Sequence, residues 1–142
     1  MKKVSCVFSL ILFASVALVS RPGLAADDDA SRYVKLLGNT FELQIQTLEL
    51  LVASETAYRE NAARHAMDIV STADLLTDTI DKIDLASSSM DRTTLKKLND
   101  ATYIAAKDLS RAIKYWLEGE DNTKVVKAIK TLRITCDNCH GS

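Results

Sequence analysis

The chain has little of what bends or cross-links a polypeptide. Of its 142 residues, one is proline, four are glycine and three are cysteine. Pro22 lies near the N-terminus, and after residue 26 the chain contains no proline and only Gly38, Gly119 and Gly141. Alternating runs rich in Val, Ile and Tyr between turns are also absent. A sequence so poor in helix breakers and in strand signals is typical of an all-α fold.

The one long apolar run lies at the N-terminus. Two lysines precede residues 4–19, which are almost wholly apolar, and Leu24-Ala25-Ala26 offers small residues for cleavage. A run of about 16 residues is shorter than the roughly 20 that span a bilayer as a helix. A basic start, an apolar stretch and a small-residue site are the three parts of a signal peptide. We expect residues 1–26 to be removed on export to the periplasm, with an uncleaved anchor as the alternative, and residues 27–142 to form one soluble domain.

Charge argues against a nucleic-acid-binding protein. The whole chain has 18 Lys and Arg against 19 Asp and Glu. Loss of the signal removes Lys2, Lys3 and Arg21, which leaves 15 basic residues and a net charge of −4. Because proteins that bind nucleic acids present a basic surface, we do not expect this mildly acidic domain to bind them.

Apolar residues recur at steps of three and four along four stretches, which predicts four amphipathic helices. The stretches are residues 30–53, 57–84, 92–118 and 122–140. Their core stripes are Val34, Leu37, Phe41, Ile45, Leu48, Val52; Ala62, Ala66, Ile69, Ala73, Leu76, Ile80, Ile83; Leu95, Leu98, Thr102, Ala105, Leu109, Ala112, Trp116; and Val125, Ile129, Leu132, Cys136, Cys139. Tyr103 and Tyr115 are also expected in the core. Asp91 is the predicted N-cap of the third helix, and Gly119 is predicted to end that helix. Short connections make neighbours antiparallel, so we expect an up-down-up-down four-helix bundle.

The two cysteines outside the signal lie in Cys136-Asp137-Asn138-Cys139-His140, at the end of the fourth helix. This C-x-x-C-H spacing is the signature of c-type haem attachment. The two thiols add across the haem vinyl groups as thioethers, and the adjacent histidine becomes the proximal ligand of the iron. We therefore expect one covalently bound haem c on Cys136 and Cys139, with His140 as iron ligand. The expected export agrees with this, because thiols of exported proteins do not usually stay free.

Three other uses of Cys136 and Cys139 are weaker. A disulfide between them would close so small a loop that it adds little stability. A thioredoxin-like redox pair belongs in a strand–helix context that the sequence lacks. A structural zinc site requires four ligands, and His65 is the one histidine besides His140. No second cluster of acid, base or nucleophile occurs in the sequence, so we do not expect an enzyme.

A C-terminal C-x-x-C-H on the last helix of an exported four-helix bundle resembles the class II cytochromes c, the family of the cytochromes c′ and the low-spin cytochromes c-556. The resemblance covers residues 27–142 by helix order and length, and only the haem motif is specific. It implies a periplasmic protein that exchanges electrons with redox partner proteins. Members of this family often form homodimers through their first two helices, and here Leu36, Leu43 and Leu50 form a second apolar stripe that could serve as the contact.

The same resemblance assigns the distal side of the iron to the start of the first helix. A methionine there is typical of six-coordinate electron carriers, and an apolar residue is typical of five-coordinate proteins that bind nitric oxide or carbon monoxide. This first helix has no methionine, and its distal candidates are Val34 and Leu37, with Leu36 one register step away. Arg32 resembles the family's arginine that contacts a haem propionate, with a solvated position at the start of the helix as the alternative. We expect electron transfer, with gas binding as the alternative.

Other polar side chains have simpler explanations beside a functional one. A basic row on the fourth helix consists of Lys124, Lys127, Lys130 and Arg133. It is either a docking patch for an acidic redox partner or the solvated face of an amphipathic helix. His65, Met67 and Met90 can reach an iron only by unusual routes. We expect a half-exposed surface position for His65, a position off the core stripe for Met67 and a loop position for Met90.

Overall fold

The structure, a computed structural model, describes residues 25–54, 58–82 and 90–140, which form four α-helices. Their bounds are α1 Ala25–Ser54, α2 Asn61–Ile80, α3 Arg92–Leu117 and α4 Thr123–His140. The bounds of α3 and α4 agree with the predicted stretches to within one residue. α1 begins five residues earlier than predicted, and α2 is four residues shorter at each end. The expected signal peptide falls almost wholly in residues 1–24, which lie outside the described residues.

Successive helices pack as antiparallel neighbours. α1 contacts α2, α2 contacts α3 and α3 contacts α4, and α4 returns beside α1 through a thinner interface. This arrangement is the up-down-up-down four-helix bundle that the short connections predict. None of the described helices is long and apolar enough to cross a membrane.

Local hydrogen bonds set both ends of α3. Asp91 has extended backbone angles, and its carboxylate accepts a hydrogen bond from the backbone N–H of Thr94, one of the donors that a helix N-terminus leaves without a partner. At the other end, Gly119 has a φ of 113°, a left-handed conformation that side chains disfavour. The backbone N–H groups of Gly119 and Glu120 donate to carbonyls of the last turn of α3. These bonds close α3 and direct the chain into α4.

The predicted core stripes are largely confirmed. The largest fully buried side chains are Ile45, Leu48, Ile69, Leu109, Ile113, Leu132 and Val125. Of these, only Ile113 lies outside the predicted stripes. It is buried because α3 packs against both α2 and α4, so its apolar face is wider than a single stripe.

Burial differs between the two ends of the bundle. The closed end comprises residues 45–54, 61–73, 105–117 and 123–132, and it contains all seven of the largest fully buried side chains. The motif end comprises residues 25–44, 74–80, 92–104 and 133–140. Seven predicted core residues of the motif end are only half-buried, namely Val34, Leu76, Leu95, Leu98, Tyr103, Cys136 and Cys139. The core therefore loosens toward the end that carries the C-x-x-C-H sequence.

One aromatic prediction is wrong. Tyr115, which was expected in the core, is 46% exposed, because it lies on the outer side of α3 where Lys124 stands 6.0 Å from the centre of its ring. Phe41 and Trp116 are buried and Tyr103 is half-buried, as predicted. The predicted core residue Ile83 lies outside the described residues.

Candidate haem site

The last two turns of α4 bring the predicted attachment residues together. Cys136 and Cys139 are free thiols on the face that continues the buried residues Ile129 and Leu132. Side chains three residues apart on a helix project from the same side, about one turn from each other. Both cysteines are half-buried, and Cys136 packs against the main hydrophobic cluster. The two sulfur atoms therefore face the apolar interior of the motif end.

Burial changes the acid–base chemistry of both thiols. It raises the pKa of Cys136 to about 11, although the positive charge of Arg133 acts in the opposite direction. Burial also raises the pKa of Cys139. Redox-active C-x-x-C pairs depend instead on a lowered thiol pKa. The surroundings of these two sulfur atoms thus favour a neutral species over a thiolate, and a thioether sulfur is neutral.

His140 is the final residue of α4, and its side chain lies outside the described residues. Its role as proximal iron ligand stays a prediction from its position beside Cys139. Among the side chains that the structure describes, no group of three or more His, Cys, Asp or Glu is arranged to hold a metal ion.

Arg133, one turn before Cys136, joins α4 to α1. Its Nε and Nη2 atoms donate to the two carboxylate oxygens of Glu49 at 3.0 and 2.9 Å, and its Nη1 atom donates to Oε1 of Glu42 at 2.6 Å. The Arg133 side chain is 28% exposed, and the two glutamates are 44% and 39% exposed. Charge-assisted bonds of this two-pronged kind fix geometry as well as adding energy. We refer to Glu42, Glu49 and Arg133 as the Arg133 clamp.

The Arg133 clamp sets which turns of α1 lie beside the motif. Because α1 and α4 are antiparallel, residues before Glu42 lie alongside residues after Arg133. Leu37 is thereby level with the end of α4 and is buried, and Val34 lies one turn further on and is half-buried. Leu36 is 57% exposed and points away from this face. The two distal candidates on the core stripe therefore occupy the same end of the bundle as the cysteines.

Arg32 is exposed and lies nearer the start of α1. At a rise of 1.5 Å per residue it is about 8 Å beyond Leu37 along the helix axis. Its contact with a haem propionate stays a prediction.

The other three side chains considered as iron ligands are divided between the two ends. His65 is half-buried and Met67 is 65% exposed, and both lie in the closed end. A hydrogen bond of 3.1 Å from Thr72 to Gln44 sets the level of α2 against α1. His65 is seven residues before Thr72, about 10 Å further from the motif along the axis. Met90 is half-buried directly before α3, so it lies at the motif end.

The basic row of α4 is not one surface. Lys124 pairs with Glu120 at 2.6 Å, and Arg133 is part of the clamp with α1. Only Lys127 and Lys130 of this row are exposed without such a role. Sequence reasoning missed the clamp, although the seven-residue spacing of its two glutamates beside the α1 core stripe is a signal that they share one face.

The residues present fit a covalently held haem by the chemistry of their donor set. Two thiols lie one turn apart on an apolar helix face, both kept protonated by burial, and a histidine follows them in the chain. A scan against protein-family models, a search of curated proteins and a search of solved structures found no match to this chain. The motif and its surroundings therefore carry the functional argument.

Proposed function

We propose that the protein is an exported monohaem c-type cytochrome that transfers electrons in the periplasm. The observation that carries the proposal is the pair of half-buried thiols on one face of the end of α4, followed directly by His140. Cys136 and Cys139 would hold the haem as thioethers, and His140 would bind its iron. When bound, the haem supplies an iron that cycles between the ferrous and ferric states.

The residues of the motif end suit a role in electron transfer. Buried apolar side chains, among them Leu37 and Ile80, keep water from the interior face of the site. Cys136 and Cys139 lie at one end of the bundle and not at its middle, so an attached group would reach the protein surface. A surface edge shortens the path to a partner, and electron transfer requires no acid, base or nucleophile in the protein.

The thiol environment also weighs against one competing use of the cysteines. A thiol–disulfide oxidoreductase needs a thiolate near neutral pH, whereas burial raises the pKa of Cys136 to about 11. A thioether has no proton to lose, so the same apolar surroundings favour it.

Covalent attachment is tested by expression in a periplasm with active cytochrome-maturation machinery. We expect the protein to keep one haem through acid–acetone extraction and to show the added mass in an intact-mass spectrum. Cys136→Ala with Cys139→Ala should abolish both signals. Asn138→Ala, an exposed position inside the motif, is the matched control and should retain the haem. Apoprotein with a Cys136–Cys139 disulfide, from cells that mature a control cytochrome, would reject the proposal.

Binding of a diatomic gas is a second candidate function. It is favoured by the two α1 side chains placed at the motif end, Val34 and Leu37, which have no lone pair to donate to an iron. Axial ligation governs spin state and open coordination positions. On this candidate, His140 is the one protein ligand, and nitric oxide or carbon monoxide binds on the α1 side.

An optical spectrum with a methionine control separates the two functions. Gas binding predicts a high-spin ferrous spectrum that shifts when carbon monoxide is added, and the same behaviour in Met90→Leu. A low-spin spectrum that carbon monoxide leaves unchanged would reject gas binding. If a methionine-to-iron band in that spectrum disappears in Met90→Leu, the protein is a six-coordinate carrier with Met90 as its second axial ligand.

Export is proposed from the N-terminal pattern of residues 1–26. N-terminal sequencing of the mature protein should return Ala26 or Asp27. Recovery of Met1 on membrane-bound protein would indicate an uncleaved anchor instead.

A homodimer through α1 is proposed from its outer face. Leu36, Leu43 and Leu50 recur every seven residues and are 57%, 63% and 71% exposed. Light scattering should show a dimer, and Leu43→Gln should shift it to monomer. Leu75→Gln is the matched control on α2, because Leu75 is also exposed but lies outside this stripe.

A further inference from the structure

Charged residues are unevenly divided between the two halves of the bundle. α1 and α2 together contain three Lys or Arg and eight Asp or Glu, whereas α3 and α4 contain ten Lys or Arg and three Asp or Glu. The whole chain nevertheless has a formal net charge of only −1. Because α3 and α4 pack side by side, one flank of the bundle is basic and the opposite flank is acidic.

Ion pairs inside the basic half leave two lysines of α4 available for a partner. Lys124 pairs with Glu120, and Arg133 is held by α1 in the clamp. Lys127 and Lys130 are exposed, and no carboxylate among the described residues lies within salt-bridge distance of either. These two charges are therefore not neutralised within the described part of the chain.

Apolar side chains accompany these lysines on the same side of α4. Val126 is 53% exposed and Ile134 is 50% exposed, each four residues from Lys130. Val126 and Lys130 also line a groove of about 470 Å³ between α4 and α1, with Val52 and Ile129 among its apolar residues. Apolar side chains surrounded by charged ones are typical of the centre and rim of a protein–protein interface.

We infer that the outer face of α4, made of Val126, Lys127, Lys130 and Ile134, docks an acidic patch of a redox partner protein. The inference rests on the proposed electron transfer, because only an electron carrier needs a redox partner. The docking contact itself does not involve the haem. Charge complementarity identifies the partner surface as acidic, because opposite charges steer two proteins together and set their orientation. We refer to these four residues as the α4 face.

The α4 face lies close to the two cysteines along the same helix. Lys130 precedes Cys136 by six residues, which is about 9 Å along the helix axis. A partner seated on the α4 face therefore lies beside the attachment motif, which occupies the end of the same helix. Glu49 of α1 also lines the groove beside this face, where Arg133 pairs with its charge. The other acidic residues of α1 and α2 would repel the same partner.

A carboxylate-terminated monolayer on gold is a probe with the chemistry of the expected partner. A protein with a uniformly spread negative charge would be repelled by it, so adsorption requires a basic face. We expect the exported holoprotein to adsorb at about 10 mM salt and to desorb near 150 mM, because the screening length falls from roughly 30 Å to roughly 8 Å. A quartz-crystal microbalance measures the adsorbed mass, and voltammetry on the same film measures electron exchange.

Paired charge reversals locate the adsorbing face. Lys127→Glu with Lys130→Glu should lower the affinity for the film by about tenfold or more, since both changes lie in the expected contact. The control Lys35→Glu with Arg64→Glu alters the net charge equally, at exposed positions of α1 and α2, and should leave the affinity within about twofold. Lys127→Gln with Lys130→Gln, a milder pair, should give an intermediate loss.

Three results would overturn the inference. These are no adsorption by the wild type, an equal loss in the control pair, and binding to phosphatidylglycerol vesicles without binding to the carboxylate film. The last result would assign the α4 face to an anionic membrane. Failure of the proposed function is seen separately: adsorption that depends on Lys127 and Lys130 without a voltammetric wave keeps the docking face and rejects electron transfer.

Discussion

The closed end and the motif end of this bundle differ in how much apolar surface they bury. In the closed end, apolar side chains such as Leu109 and Ile113 are fully enclosed. In the motif end, Leu76, Leu98 and Cys139 are only half-buried. The free energy gained by burying apolar side chains scales with the apolar area removed from water. The closed end therefore contributes more of the hydrophobic stabilisation.

Polar ties connect the helices in the motif end. The Nδ2 atom of the buried Asn99 donates to the Thr77 hydroxyl at 2.5 Å, and the Arg92 guanidinium donates to the carbonyls of Ile80 and Asp81 at the end of α2. The Arg133 clamp joins α4 to α1 where the two ends meet, since Glu42 lies in the motif end and Glu49 in the closed end. Directional bonds of this kind hold helices at a set spacing without filling the space between them. The motif end is therefore held in register by hydrogen bonds between its helices, although its core is only partly buried.

The largest expected effect comes from matched truncations along α3. Leu109→Ala, in the closed end, should lower the free energy of unfolding by about 3–4 kcal/mol, because it leaves a cavity among fully buried neighbours. Leu98→Ala, in the motif end, should cost about 1–2 kcal/mol in the haem-free protein, because the removed atoms are already half in water. Urea unfolding followed by circular dichroism measures both.

Equal costs for the two truncations in the haem-free protein would contradict the contrast between the ends. Haem attachment sharpens the test. An attached group that covers Leu98 should raise the cost of Leu98→Ala and leave the cost of Leu109→Ala unchanged.

The four helices were predictable because their signal is local. Apolar steps of three and four recur over many turns, so α3 and α4 were located to within a residue. The start of α2 was not predicted, since residues 58–60 form a turn in which the Asn61 N–H donates to the carbonyl of Tyr58. A turn of this kind has almost the same apolar spacing as a helix. The end of α2 at Ile80 depends on Arg92, which comes from the next helix.

The candidate site also has one part that follows from local sequence and one part that depends on long-range packing. Cys136, Cys139 and His140 could be proposed as a site from the sequence, because they lie within five consecutive positions. The Arg133 clamp was not, because its donors and acceptors are 84 and 91 positions apart in the chain. A basic row on an amphipathic helix suggests a solvated face, and only the packing of α4 against α1 shows that Arg133 belongs to an interface.

A smaller effect is expected from breaking the Arg133 clamp. Arg133→Met removes the guanidinium and leaves Glu42 and Glu49 on one face of α1. Partial exposure of both carboxylates limits the cost to about 1–2 kcal/mol of unfolding free energy. Arg133→Lys keeps the charge but not the two-pronged geometry, so its cost should lie between the wild type and Arg133→Met.

The matched control for the clamp is Lys124→Met, on the same helix. Its ion pair with Glu120 is exposed and lies in the closed end, so little change in stability is expected. Arg133→Met should in addition speed alkylation of Cys136 in the haem-free protein, because α4 is no longer held against α1 beside that thiol. If Arg133→Met and Lys124→Met have the same stability and the same rate of alkylation, the Arg133 clamp does not hold α4 against α1.

The smallest effect concerns the two aspartates that cap helices at opposite ends of the bundle. Asp91 caps α3 in the motif end, and hydrogen bonds from the Thr94 side chain and backbone hold its pKa below the ordinary value of 3.8. Asp121 precedes α4 in the closed end, and bonds from Thr123 lower its pKa in the same way. A folded-state pKa that is depressed means that the unfolded chain takes up the proton first. The stability from each cap is therefore present above pH 3.8 and is lost as the pH falls below it.

Replacing each cap with asparagine keeps a side-chain acceptor and removes the titration. The stability difference between the wild type and Asp91→Asn or Asp121→Asn should therefore shrink between pH 7 and pH 3. Asp100→Asn, within α3, gives the background change for losing one exposed carboxylate.

The two cap variants should differ in which measurement detects the lost stability. If the looser motif end opens before the whole bundle unfolds, Asp91→Asn should alter hydrogen exchange in the first turns of α3, and Asp121→Asn should alter the global unfolding midpoint. If both variants alter only the global midpoint, the bundle unfolds as one unit, and the two ends differ in burial but not in the order in which they open.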